Sequence, residues 1–453
     1  MATPAYLHGV EVVEATTGPR PVAPSGATFI GIVGTSLDGP PGVVRTTLGA
    51  REAAELWGDE GTIAAAIAAI HSQGRAPAIA AVNALDPDTH VTAVADEVTA
   101  WGPAGTVVRL AHARVSEVSV KQKGGTAVVA ADYEIDAEAG TLTVAVGATF
   151  VTDAADAAKV TYKYLDISLV TAADVAAAAP LLCEAEEASG RTPDILIAPG
   201  FSSTVTRSAG QVIESAPVAS ALAAVADRCR AIVFADALAY RATQGSRRVM
   251  AVDPAVKVLA AGGGTETRPL SGYAAGLTAR IDAEVGWWAS PSNRELRGIA
   301  GASRFVSFGL GDANSEANLL NASQVTTVIR SNGWRLWGNR TCSNDPKWQF
   351  LSVVRIADKI NEQILRSHMW AVDRNITATY VEDVVENVNA YLRDLKRDGA
   401  ILGGRCWADP DLNPVSSLAK GRLYLDFDFT PAAPAERITF RSRVVDDYAE
   451  TVI

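Results

Sequence analysis

Five histidines in 453 residues set the first limit on chemistry: His8, His71, His90, His112 and His368. A hydrolytic Ser/His/Asp site needs a nucleophile, a base within hydrogen-bond reach and an acid that orients the base. No Gly-X-Ser-X-Gly elbow occurs, and Gly34-Thr35-Ser36 falls where a strand ends in a turn. His8 belongs to the N-terminal segment, and His71 closes a helical run. His90 and His112 flank or enter a β-rich stretch, and His368 continues the stripe of Ile356, Ile360 and Ile364. Each therefore reads as a packed or surface residue. Asp86-Pro87-Asp88-Thr89-His90 gathers potential metal ligands, but a Pro-containing run of this kind spells a turn. There is no HExxH, no paired-cysteine spacing and no EF-hand loop. The glycines at 262–264 and around Gly309 and Gly311 lack Walker or dinucleotide spacing. Cys183, Cys229, Cys342 and Cys406 are scattered and read as reduced and buried. No catalytic residue, metal ligand or cofactor is expected.

Bulk properties narrow the partners. A net charge of −11 argues against nucleic acid, whose phosphates need a basic stripe, and against an anionic membrane surface. The chain is 48% hydrophobic and 20% charged, enough apolar material for more than one core. No apolar run reaches the ~18 residues of a membrane span. Met1 to Gly18 lacks the basic and hydrophobic blocks of a signal peptide, so assembly in the cytoplasm is expected.

The elements follow from periodicity. Phe29–Val33, Ala78–Val82, Asp194–Ala198, Ala231–Ala235 and Arg248–Val252 are short apolar runs of strand length. Helical spacing separates them: Ile63, Ile67 and Ile70, then Asp174 to Ala188, then Val218 to Cys229. Alternation of this kind predicts a mainly parallel sheet covered on both faces. Between the halves, His112–Val120, Thr141–Val146 and Lys159–Tyr164 alternate polar and apolar residues. They predict a small antiparallel β domain inserted at a surface loop. From about Ser271 alanine thins out and Trp287, Trp288, Trp334, Trp337, Trp348, Trp370 and Trp407 appear. The expected division is 1–27 arm and linker, 28–86 first α/β part, 87–166 insertion, 167–270 second α/β part, 271–435 C-terminal α+β domain and 436–453 C-terminal arm.

Within the last domain, Val381, Val384, Val385, Val388, Leu392 and Leu395 mark one face of a helix. Thr379 and Glu382 have capping-box spacing at its start, and Gly399 ends it. Its polar face includes Asn389, Arg393, Lys396 and Arg397. Leu423, Leu425, Phe427 and Phe429 alternate in one strand, and Ile438, Phe440, Val444 and Val445 punctuate a second, predicting a hairpin. At the other end, Tyr6, Leu7, Gly9, Val10, Val12 and Val13 form a strand-like run isolated by the Pro-rich segment Gly18–Gly26. A tethered strand is poorly stable alone and needs a sheet edge.

Longer stretches carry a resemblance. Gly272-Tyr-Ala-Ala-Gly-Leu277, Gly286-Trp-Trp-Ala-Ser-Pro-Ser-Asn293, Ser307-Phe-Gly-Leu-Gly-Asp312 through Leu320, Leu336-Trp-Gly-Asn-Arg-Thr341, Trp370-Ala-Val-Asp-Arg-Asn375 and Asp426-Phe-Asp-Phe-Thr-Pro431 stand out. With these the chain resembles the contractile phage tail sheath family, including the sheaths of R-type pyocins. The resemblance implies an α/β fold: a mainly parallel, subtilisin-like and non-catalytic sheet domain, the inserted antiparallel β domain, and a C-terminal α+β domain with terminal strand-exchange arms. It also implies a structural subunit that polymerises helically around a tail tube in the virion tail and contracts. The expected partners are further copies of the chain, the tube protein, and baseplate and tail terminator proteins. The N- and C-terminal runs become inter-subunit arms, and Leu423 to Phe429 the acceptor strand. Asn389, Arg393, Lys396 and Arg397 become candidates to face the tube. Two rival readings are a non-contractile tubular or coat protein and a subtilisin-like hydrolase.

Overall fold

β-Branched and small apolar runs pair side by side into one nine-stranded sheet. The computed structural model describes residues 27–122, 125–148, 158–208, 211–236, 245–260 and 262–445. They fall into two compact units, 27–286 with 291–349, and 287–290 with 350–445.

In the larger unit the sheet order is Arg294–Glu295, Trp334–Trp337, Val325–Arg330, Val249–Val252, Ile232–Ala235, Ile195–Ile197, Phe29–Gly34, Ala78–Asn83 and Val44–Thr47. The central strands run parallel, and the outer ones, Val44–Thr47 at one edge and Trp334–Trp337 with Arg294–Glu295 at the other, run antiparallel. Phe29–Gly34, Ile195–Ile197, Ile232–Ala235 and Val249–Val252 are buried throughout, as strands covered on both faces must be. One face packs Val33, Val82, Leu196 and Val233 against Val175, Leu182, Leu222 and Val225 of the helical segments 172–189 and 217–229. The opposite face takes the helices Thr62–Ser72 and Leu270–Glu284. Those two helices touch closely: a Cβ on Gly276 would lie 2.7 Å from the Ile70 Cα and carbonyl oxygen, and one on Gly272 3.1 Å from the Ala69 methyl.

The helix expected from Asp174 to Ala188 is broken. Thr171 caps a helix at Ala172–Ala178 through a capping box with Asp174, and Pro180 then tightens the chain into a 3-10 turn at 179–184. A boundary at Ser271 is also corrected. Leu270 to Ile281 are buried inside the larger unit, and Val325–Arg330 and Trp334–Trp337 extend its sheet. The rise in tryptophan marked the antiparallel edge of that sheet as well as the unit beyond it.

The insertion carries two three-stranded antiparallel sheets around its own core of Trp101, Val108, Leu142, Val144, Val160 and Tyr162. Its first and last strands pair with each other, Val91 opposite Leu165. Below them the Asp166 amide donates to the His90 carbonyl at 2.9 Å.

The smaller unit packs the helices Leu351–Ser367 and Ala378–Arg397 beside a two-stranded ribbon, Ile401–Trp407 with Asp426–Pro431. Ile356, Ile360, Val388, Leu392 and Leu395 meet Ile401 and Cys406 there, with Trp287 and Trp288 at the margin. The cap lies one turn edge earlier than expected: the Thr377 hydroxyl accepts from the Tyr380 amide at 3.2 Å, displacing Thr379 from that role. Gly399, at φ 82°, turns the chain from this helix into the ribbon, a backbone shape that glycine adopts without strain.

Candidate assembly site

The ribbon is the exceptional element of the smaller unit, because two strands alone rarely satisfy their edges. Its register runs from Ile401 opposite Pro431 to Trp407 opposite Asp426. Leu425, Phe427 and Phe429 turn onto the apolar core, and the two phenylalanine rings stack at 6.2 Å. Leu423 precedes the strand, in a stretch without regular structure.

One side of the ribbon is closed by a side chain. The Asn389 amide donates to the Cys406 carbonyl at 3.1 Å and accepts the Cys406 N–H at 2.7 Å, pairing with that backbone as a strand residue would. The Asn389 polar group is thus engaged by the ribbon. Among the described residues, no strand pairs with the outer edge of Asp426–Pro431. That edge presents main-chain donors and acceptors over a well-packed inner face.

The expected hairpin between this strand and residues 437–445 does not form. The Ala432 amide still reaches the Ala400 carbonyl at 3.1 Å, and the described residues beyond Pro434 pair with no strand. The Gly399 turn gives the Asp426–Pro431 strand a nearer partner, and alternation alone does not specify which neighbour a strand chooses. Ile438, Phe440 and Val444 are spaced by even numbers of residues and so share one face of any strand they enter. Phe440 is 91% exposed and Val444 99%, and Ile438 and Val445 are exposed too. Tyr6, Leu7, Gly9, Val10, Val12 and Val13 lie outside the described residues.

Arg393, Lys396 and Arg397 are exposed on the long helix. Arg393 pairs with Glu386, and Arg397 with Asp394 at 2.7 Å, so part of the positive charge is offset locally.

The described candidates for chemistry each make structural contacts. Ser36 donates to the Trp57 carbonyl at 2.9 Å and receives the Gly39 amide, holding a turn. At the carboxyl end of a central strand, half-buried Asp236 accepts from the Ser271 amide at 2.9 Å and the Ser271 hydroxyl at 2.5 Å. The Ser202 hydroxyl also donates to it at 3.3 Å. Burial pushes the Asp236 carboxyl up, and the Ser271 hydrogen bonds oppose that shift. Among the described residues no histidine reaches this group, whose geometry anchors the first turn of the Leu270–Glu284 helix. His90 Nδ1 accepts the Asp86 amide at 2.8 Å while Nε2 lies 3.3 Å from Asp174. Hydrogen bonds from Thr171 hold the Asp174 carboxyl below its ordinary range. Both ring nitrogens are thus committed to the neck of the insertion. His112 stacks on Tyr164 at 3.7 Å, and His368 contacts the Ile364 carbonyl at 2.6 Å. No cluster of three or more potential metal ligands exists among the described residues, and no helix there is long and apolar enough to cross a membrane.

Sequence reading placed Asn389 on the polar face of the helix and missed its pairing with the Cys406 backbone. An asparagine flanking an apolar helical stripe was the available signal, and the adjacent strand needed to interpret it was not assigned.

Comparison with known proteins agrees in extent as well as kind. A phage tail sheath protein central domain model matches residues 161–342, and a phage tail sheath C-terminal domain model matches 343–445. Residues 81–180, which include the insertion, match a family described as a protein of unknown function. The tail sheath protein of Burkholderia phage BcepMu is 34% identical, with 99% of this chain and 98% of that one covered. The tail sheath protein of Escherichia phage P2 is 37% identical over 59% of this chain and 67% of its own. In fold, the chain is similar to the helical sheath of the anti-feeding prophage in its contracted state, with a TM-score of 0.61, 17% identity and coverage of 96% and 98%.

Proposed function

Because this chain belongs to the phage tail sheath family, we propose that it is the structural subunit of a contractile sheath. It polymerises helically around a tail tube in the virion tail and shortens to drive that tube through a target envelope. The observation that carries this is the ribbon's open outer edge in a chain whose residues 437–445 alternate in sequence, are exposed, and pair with no strand among the described residues. A strand from another copy fits that edge by β-augmentation, with main-chain hydrogen bonds supplying affinity. Donation from copy to copy is a heterologous contact, and one whose rotation does not close builds a helix. Strand tethers let subunits swing as rigid bodies while staying connected, which contraction requires.

In this reading Phe427 and Phe429 anchor the acceptor strand, Leu423 and Leu425 extend it, and the N- and C-terminal segments are the arms. The larger unit is a subtilisin-like sheet domain without catalysis. Support comes from Asp236, Ser202 and Ser271, which anchor a helix with no histidine beside them among the described residues. The tube, the baseplate and a terminator are the other partners. The insertion, with its own core and paired ends, lies on the outside.

Purified full-length chain is expected to assemble into striated tubes under negative stain, and to adopt two lengths when grown on tail tubes and then triggered. Monomers at every concentration would overturn the reading, and a single fixed form would favour a static coat.

The long helix gives a narrower expectation. Arg393→Glu combined with Lys396→Glu should weaken co-sedimentation with tail tubes about tenfold or more, since a complementary surface becomes a repulsive one. Empty sheath assembly should be unchanged. If tube attachment is unaffected, another element makes that contact.

A further inference from the structure

We propose that Cys183 and Cys229 are a disulfide site, closed when the chain meets a low-molecular-weight disulfide such as oxidised glutathione. Their sulfurs approach to 2.7 Å, near the ~2.05 Å of a formed bond. Cys183 lies in the helical turn Ala179–Glu184, and Cys229 is the last residue of the helix Pro217–Cys229. Both segments pack on the same face of the central sheet, which fixes their backbones. Closure is therefore to be reached by rotating the two side chains on these backbones. The cysteines stand 46 positions apart, so spacing gives no hint of the pairing. Cys342 and Cys406 are buried, and neither contributes to this pair.

The two sulfurs are unequal. Cys183 is half-buried, whereas Cys229 is buried, and burial pushes its thiol up to about 12. Cys183 is thus the sulfur that meets the oxidant. Its thiolate attacks one sulfur of oxidised glutathione, forming a mixed disulfide and releasing one glutathione thiolate. Cys229 then loses its proton and attacks the Cys183 sulfur, releasing the second glutathione. The chain gives up two electrons and two protons, and the oxidant is reduced to two thiols. The second step is the slower one and speeds up as pH rises, because only the thiolate attacks.

A bond here closes a long loop within the larger unit and restricts its unfolded state. Its use to a particle rests on the sheath reading: an assembly that leaves a reducing cytoplasm gains a covalent clip once outside. The chemistry itself is independent of that reading, and the test keeps them apart because it needs no tubes.

Full-length chain, first reduced, is incubated with oxidised glutathione, then denatured and alkylated. The expected result is two alkylated thiols where the reduced chain gives four. Peptide mapping should join the Cys183 and Cys229 peptides. The oxidised form should melt several degrees higher, a gain that reductant reverses and that Cys183→Ser lacks. Four alkylated thiols after oxidation, a stalled glutathione adduct on Cys183, or a linkage between other cysteines would overturn the proposal. A linked form melting below the reduced one would overturn the claim that the bond fits the native fold. Alkylation of the unmutated chain decides the matter even if the serine variant folds poorly.

Discussion

A chain ending at Ala435 is expected to fold and to form no tubes. The residues removed include Phe440 and Val444, both almost wholly exposed, and beyond Pro434 the described backbone joins no strand. Their loss costs the two folded units little packing, so circular dichroism and melting temperature should stay near those of the full chain. Assembly loses much more. A donated strand of about five main-chain hydrogen bonds, at about 1 kcal/mol each, supplies about 5 kcal/mol per contact. That is more than three powers of ten in an association constant. Sedimentation velocity and negative stain read the difference directly. Phe440→Asp with Val444→Asp should act similarly without shortening the chain, by placing charge on the face that packs. Deleting Met1–Val22 tests the other proposed arm. Tubes that persist at normal concentration after both ends are removed would rule out strand donation.

The second large effect is expected at Gly276. Glycine inside a helix costs roughly 1 kcal/mol relative to alanine. The Leu270–Glu284 helix nevertheless carries glycine at both 272 and 276. The reason lies in the neighbouring helix. A Cβ at 276 would meet the Ile70 Cα and carbonyl oxygen at 2.7 Å, and backbone inside a buried helix pair has nowhere to retreat. A Cβ at 272 would approach the Ala69 methyl at 3.1 Å and the Ala66 backbone no closer than 3.6 Å. Gly276→Ala should therefore destabilise the larger unit by about 1–3 kcal/mol, and Gly276→Leu by more. Gly272→Ala should cost less than Gly276→Ala, because its nearest approach is 3.1 Å and not 2.7 Å, so less movement relieves it. Urea titration of the three variants gives the ordering. Gly276→Ala as stable as the parent would mean that the helices are not held at this spacing.

Much of the fold was legible because its strands are short apolar runs set among helical periodicity. Phe29–Gly34, Ala78–Asn83, Ile195–Ile197, Ile232–Ala235 and Val249–Val252 all fall where those runs lie. Partner choice was not legible. The run 437–445 alternates as cleanly as a strand does, yet pattern fixes only which residues share a face, and the edge it would join is already paired inside the chain on one side. The same limit hid the contact of Asn389 with Cys406, two residues that only the fold sets side by side. It also hid the Cys183–Cys229 approach, made by two helical segments that only the sheet brings together. The boundary at Ser271 failed for another reason: composition reports local chemistry, and the antiparallel edge of the large sheet uses the same aromatic residues as the unit that follows.

The neck of the insertion has a consequence of its own. Val91 and Leu165 are cross-strand partners, so the chain leaves the host sheet domain and returns to it within about 5 Å. Asp86, His90, Asp166 and Asp174 fasten that exit with hydrogen bonds made on the host side or at the threshold. Beyond the neck, Arg114 of the insertion pairs with Asp38 of the host, a contact that a different passenger would give up. The position is nonetheless a socket. A small fold with adjacent termini is expected to seat there by genetic fusion, one per copy. If the copies stack in a regular lattice, the passengers are displayed as an ordered array whose pitch the host sets and the cargo does not.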